Sequence, residues 1–158
     1  MRRLEAALAV LVLAAPAAAA ERFALVGVTV VTASDVLVDG IVVVAKDRIE
    51  AVGPRPHVRL PKGATLQDGR GLFVVAGPPW SAATVASLEA RVKSGSPARE
   101  VVQVALRDRS GRLAAGAPAE FVVLERDPLA DPAHLRAVVR AVRDGRDLAP
   151  DERRSAER

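Results

Sequence analysis

Few residues in this 158-residue chain are of the types that do chemistry: it has two histidines, His57 and His134, and no cysteine. A zinc site needs at least three ligands drawn from His, Cys, Asp or Glu. His57 stands among prolines and His134 in a polar turn region, far apart in sequence, so both read as surface or structural residues. Asp127 and Asp131 could work as a general acid and base, yet each stands immediately before a proline and reads as a turn former. Ser94 and Ser96 flank Gly95 without the Gly-x-Ser-x-Gly elbow that presents a nucleophile, so a helix boundary accounts for them. Gly69-Arg70-Gly71 is half of a dinucleotide loop in the wrong order, ahead of a strand and not opening a helix. The sequence assigns no catalytic, cofactor-binding or metal-binding residue.

The rest of the composition narrows the partners. Half of the residues are hydrophobic but only 3% are aromatic, so the core must be mostly Val, Leu, Ile and Ala. A chain of this length makes one domain and buries a core without disulfides or metal. The net charge of +4 is spread among alternating signs, as in Arg107-Asp108-Arg109 and Arg143-Asp144-Gly145-Arg146-Asp147. Nucleic-acid binding calls for a basic face, and single strands for aromatic platforms. Neither is visible, and no nucleic-acid partner is expected.

Residues 1–20 resemble a secretory signal: Arg2 and Arg3, the apolar run Ala6 to Ala15, Pro16, then Ala17 to Ala20 before Glu21. Cleavage is expected after Ala20, with a periplasmic or secreted product. The apolar stretch falls short of the ~20 residues of a membrane helix, so no stable membrane anchor is expected; an uncleaved anchor or a misassigned start is the other reading of these residues. The missing cysteine excludes the usual lipoprotein anchor.

The elements follow from periodicity. Phe23–Thr32, Ile41–Ala45, Ile49–Val52, Leu72–Val75 and Ala119–Leu124 are Val-rich or alternating runs that predict strands. Asp39-Gly40 predicts a turn, Lys46-Asp47-Arg48 a hairpin connection, and short extended pieces fit His57–Leu60 and Ala64–Gln67. Ser81 predicts an N-cap for a helix carrying Val85, Leu88 and Val92, ended by Gly95. Ser96 as cap and Pro97 as first residue predict a second helix carrying Val101, Val104 and Ala105. Leu135 to Val142 predicts a strand running into a closing hairpin at Arg143–Arg146.

In this order the runs resemble a known family. Phe-Ala-Leu-Val-Gly-Val-Thr-Val-Val-Thr from Phe23, Asp-Gly-Ile-Val-Val-Val from Asp39 and Arg-Ile-Glu-Ala-Val-Gly from Arg48 look like the opening of the amidohydrolase superfamily. Ser96-Pro97-Ala98, Gly-Arg-Leu-Ala-Ala-Gly-Ala-Pro-Ala-Glu-Phe-Val-Val-Leu from Gly111, Asp-Pro-Leu-Ala-Asp from Asp127 and Val-Arg-Asp-Gly-Arg from Val142 look like its close. Glu120 replaces the more usual aspartate. In that family both chain ends build a small β-sandwich beside a metal-binding (β/α)8 barrel. The resemblance therefore implies a mainly β fold with two short helices, a composite β-sandwich of residues 21–148 with a helical insert at about 81–105, and a disordered tail at 149–158.

The family's chemistry has no place here. Its barrel opens with a His-x-His strand just after the position of Gly77, where this chain reads Pro78-Pro79-Trp80-Ser81-Ala82-Ala83. A barrel takes about 250 residues, whereas Pro78 to Gly95 supplies eighteen. The expectation is a non-catalytic exported remnant without cofactor, although full-length family members would use a divalent metal such as zinc. Its expected partners are a second copy of itself or a barrel-bearing protein. The alternative is a part, or an internally deleted form, of a metal-dependent hydrolase of carbon–nitrogen bonds. The sandwich side that the family buries against its barrel would be covered by the Ser81–Val92 helix or left as an apolar patch.

Overall fold

The structure, a computed structural model, describes residues 22–109 and 111–157. The expected signal at 1–20 lies outside the described residues. Strand β1 (Arg22–Val31) pairs antiparallel with β2 (Val36–Ala45), which turns through Lys46-Asp47 into antiparallel β3 (Arg48–Pro54). Inward-facing residues of β1 are Phe23 and Leu25, then Val28 and Val30. That change from odd to even positions is accommodated at Gly27, where φ is +82° and the register with β2 shifts. A β-bulge of this kind adds one residue and returns the apolar set to the same face. Asp39-Gly40, expected as a turn, lies inside β2 at the matching irregularity, with Asp39 at φ +53°. Asp tolerates left-handed backbone, so the same residue type serves a bulge where the ladder on both sides is strong enough to continue.

The other edge of β1 is shared by two parallel strands, β4 (Thr65–Asp68) beside its first half and β5 (Phe73–Ala76) beside its second. Between them Gly69 donates its N–H to the Val26 carbonyl at 2.8 Å; a Cβ there would stand 2.1 Å from Val28 Cγ1, so only glycine fits. The second half of the chain then continues the sheet: β5 pairs antiparallel with β6 (Phe121–Leu124), β6 with β7 (Val138–Arg143), and β7 with β8 (Arg146–Asp147). Asp144 and Gly145, both at positive φ, make the closing turn. The result is one eight-stranded sheet in the order β3-β2-β1-β5-β6-β7-β8, with β4 on the side.

This sheet bends back on itself. Ile49 donates to the Ala117 carbonyl at 2.9 Å, Gly116 to that of Ile49 at 2.8 Å, and Ala119 to that of Asp47 at 2.8 Å. Phe23, Leu25, Val42, Val44 and Ile49 from the first half thereby share a core with Phe121, Val123 and Val142 from the second. The expected sandwich is present as one continuous sheet and not as two separate ones.

The two expected helices cover the outer face, and a third, short one lies in the tail. Helix α1 (Ala82–Lys93) is capped as expected, with Thr84 N–H donating to Ser81 Oγ at 3.1 Å and Gly95 at φ +105° behind it. Helix α2 (Ala98–Arg107) begins one residue later than expected: Pro97 is extended, with ψ 132°, and is itself the N-cap, so Ser96 caps nothing. Its buried residues are Val101 and Val102, while Val104 and Ala105 are half-buried. Val85, Leu88, Val101 and Val102 close over Val75, Val122 and Leu124. The bridge thus covers one face of the sheet with its own helix.

Leu135 lies in a 3-10 segment, Pro132–Arg136, ahead of β7 and not in the strand. His57 likewise belongs to a 3-10 turn, Arg55–His57, and not to an extended piece. The tail expected to be disordered carries α3 (Pro150–Ala156). Glu152 accepts from the Ala149 N–H at 2.8 Å, and the Glu157 carbonyl accepts from the Ala82 N–H at 3.0 Å. That last bond satisfies one of the open donors at the start of α1, which gives the tail a partner that its polar composition does not announce. No helix among the described residues is long and apolar enough to cross a membrane.

Candidate functional site

Most of the residues singled out above are used locally. His134 is half-buried and donates from Nδ1 to the Asp127 carbonyl at 2.7 Å. Asp127 Oδ1 accepts from the Leu129 N–H at 2.9 Å and Asp131 Oδ1 from the Ala133 N–H at 2.8 Å, the side-chain turns their prolines suggested. Ser94 Oγ donates to the Arg91 carbonyl at 2.9 Å at the end of α1. Arg70 forms an ion pair with Asp68 at 2.6 Å across the Gly69–Gly71 turn. That pairing holds the Asp68 carboxyl down to about 2, chiefly through the hydrogen bond from the Arg70 side chain. His57 is exposed and lines a hollow of about 440 Å3 beside β3 with Glu50 and Arg59. Among the described residues no three His, Cys, Asp or Glu side chains converge on one point.

The geometry with the most chemical content lies where the halves meet. Gly77, at φ +89°, donates to the Glu120 carbonyl at 2.9 Å, and Gly111 passes so close that a Cβ there would stand 3.1 Å from Gly77 N. The chain then buries Trp80, which is 4% exposed and packs with Val85, Leu88 and Leu135. Arg109, just past the end of α2, lays its guanidinium over the indole at 3.9 Å from the ring centroid and donates through Nη2 to the Pro78 carbonyl. Burial pulls the Arg109 pKa down to about 10, with the charge of Glu120 acting in the other direction. Its Nε is buried and has no hydrogen-bond partner among the described residues.

Beside this pair opens a cavity of about 570 Å3 at the carboxyl ends of β1 and β5. Arg107, Arg109 and Arg112 line it, with Thr32 and Ser34 as hydroxyls and Val31, Ala76, Leu106 and Leu113 as apolar wall. Among the described residues, no carboxylate lines it. A site of this kind can hold a negative charge. Sequence reading missed it because Arg107-Asp108-Arg109 looks like alternating surface charge. The one signal available was the chain's single tryptophan in the Gly77–Trp80 junction.

No family model matches the chain, and no curated protein sequence matches it. Solved structures do. The likeness is to members of the amidohydrolase superfamily, over a small domain. A protein assigned as a prolidase from Bifidobacterium longum is 28% identical at a TM-score of 0.36, over 63% of this chain and 31% of that one. N-acetyl-D-glucosamine-6-phosphate deacetylase from Mycobacterium smegmatis is 28% identical at a TM-score of 0.30, over 39% and 15%. Dihydropyrimidinase from Brevibacillus agri is 24% identical at a TM-score of 0.30, over 38% and 13%. The chain thus spans less than a third of the length of each.

Proposed function

We propose that this chain is an exported, non-catalytic β-sandwich related to amidohydrolases, acting as a module that associates with itself or with a barrel-bearing protein. The junction is the observation that supports its standing alone without a barrel. Strand β5 pairs directly with β6, and the stretch between β5 and α2 folds as the single helix α1 against the sheet. A face that would otherwise be apolar and open is closed by residues of that bridge. The residue types that hydrolysis of a carbon–nitrogen bond would recruit, His57, His134, Asp127 and Asp131, are each exposed or engaged in local turns.

A second reading rests on the sequence at the two flanks, which resembles a hydrolase end to end: the chain supplies part of a metal-dependent enzyme acting on carbon–nitrogen bonds. One experiment separates them. The full gene is expressed in a bacterium with a working export pathway, and the periplasmic protein is dialysed, weighed intact and analysed for zinc. The mass of a chain beginning at Glu21, less than a tenth of a zinc per chain, and no amidase, lactonase or deaminase turnover are expected. About one zinc per chain with chelator-sensitive turnover would overturn the proposal in favour of the second reading.

A further inference from the structure

We infer that the cavity at the carboxyl ends of β1 and β5 binds a small organic anion, its oxyanion head held by Arg107, Arg109 and Arg112. This goes beyond the module proposed above and stands on separate observations. The cavity volume of about 570 Å3 lies within the roughly 300–1,000 Å3 range of ligand sites. Its lining is divided by chemistry, with arginines and the Thr32 and Ser34 hydroxyls at the polar part and Val31, Ala76, Leu106 and Leu113 at the apolar part. That division fits a ligand with a carboxylate or phosphate at one end and an apolar body at the other.

Seven arginines elsewhere are paired with carboxylates, whereas Arg48, Arg59, Arg91, Arg99, Arg126, Arg153 and Arg154 are, like those here, without an ion pair among the described residues; what sets this group apart is that three share one cavity. In the hollow beside β4, Arg55 is paired with Asp39 at 2.8 Å and Arg70 with Asp68 at 2.6 Å. Arg136, Arg140, Arg143 and Arg146 each have a carboxylate as well. Among the described residues, Arg107, Arg109 and Arg112 form no ion pair, although three like charges around one cavity repel each other. Arg107 lies in the last turn of α2, where a cation complements the helix dipole. Arg109 and Arg112 lie beyond the helix and have no such reason to be there.

Arg109 is also held in place before any ligand arrives. Its guanidinium rests on Trp80, and its Nη2 is fixed by the Pro78 carbonyl. A cation pre-ordered in this way loses little side-chain freedom on binding, and with Nε buried and Nη2 on the Pro78 carbonyl it meets an oxyanion as a fixed charge and not as an open two-nitrogen fork. Burial disfavours its charge, and an anion alongside would offset that cost.

The test uses amide chemical shifts of the purified full chain at constant ionic strength, titrated separately with phenyl phosphate, phenylacetate and inorganic phosphate. Saturable shifts confined to Val31–Ser34, Leu106–Arg109 and Gly111–Ala114 are expected with phenyl phosphate or phenylacetate, and the tighter of the two identifies the head group. Inorganic phosphate should bind at least tenfold more weakly than the better of them. The double variant Arg107→Gln with Arg112→Gln changes two exposed residues, so its thermal transition should stay in place while affinity falls at least tenfold. Arg55→Gln, at the paired arginine, should leave affinity unchanged. Shifts that never saturate, that spread over all surface arginines, that are as tight with inorganic phosphate, or that survive the double variant would each overturn the assignment.

Discussion

The two faces of β6 sit in different cores. Phe121 and Val123 face a core lined by strands from both halves of the chain, while Val122 and Leu124 face the helices. The difference between these cores is in their polar accounting. Among the described residues, the buried side-chain polar atoms without a partner are Trp80 Nε1, Arg109 Nε and Arg153 Nε. All belong to the helical cover, its junction or the tail helix that adjoins it; none belongs to the strand-lined core. An unpartnered buried donor costs about 1–3 kcal/mol. The strands meet through ladders that satisfy the backbone and through side chains without polar atoms. The cover is built from a short bridge whose largest residue, Trp80, brings an N–H into an apolar place. The cover is therefore the less well satisfied layer, and it is also the one beside the arginine-lined cavity.

The sharpest way to break this comparison is to divide the chain. If the strand-lined core needs both halves, residues 22–77 and 96–148 made separately should each be unfolded by circular dichroism, and mixing should restore structure. A sharp thermal transition from residues 22–77 alone would show that the first half has a core of its own.

Substitution within each layer sharpens it further. Phe121→Ala, in the strand-lined core and fully buried, should cost about 3–5 kcal/mol. Leu88→Ala, on α1 and 5% exposed, should cost about 2 kcal/mol, the lower end for such a change, because a helix at the surface can settle into the gap. Urea midpoints of the two variants give the difference, and equal costs would mean that the layers are equally rigid.

Trp80 carries a smaller and more specific expectation. Trp80→Phe keeps an aromatic face under Arg109 and removes the unpartnered donor, so lost apolar area and a relieved N–H should cancel to within about 1 kcal/mol. A loss above about 2 kcal/mol by chemical denaturation would show that the indole N–H has a partner after all.

The smallest effect is one of sign. Folding holds the Arg109 pKa at about 10, below its ordinary range, through burial. Above that pH the folded chain gives up this proton before the unfolded chain does, so Arg109's contribution to stability rises with pH toward the ordinary guanidinium range. The urea midpoint of wild type relative to Arg109→Met should therefore be higher at pH 11 than at pH 8, and a fall would contradict the burial of the charge.

Much of the architecture was legible in the residues. Ile41–Ala45 and Phe121–Leu124 are apolar at every position because both of their faces are covered. Ser81, Gly95 and Asp144-Gly145 punctuate the chain where their backbone preferences place them. Other signals were ambiguous for a physical reason. Asp39-Gly40 favours left-handed backbone and so suits a turn or a bulge equally, and the register with β1 decides between them. Pro97 is fixed in φ but free in ψ, so its sequence does not say whether the helix starts at it or after it.

The candidate site divides along the same line. That His134, Asp127, Asp131 and Ser94 belong to turns and helix ends follows from their near neighbours, since their bonds span two to seven residues. That Arg109 lies on Trp80, that three arginines surround one cavity, and that Glu157 completes the first turn of α1 follow from nothing local. The sequence by itself determined the strands, the caps and the turns, because these depend on φ, ψ and the nearest side chains. Only the tertiary structure decided which charges stand together and which apolar face is covered, because those contacts join residues far apart along the chain and exist only once the sheet has formed between them.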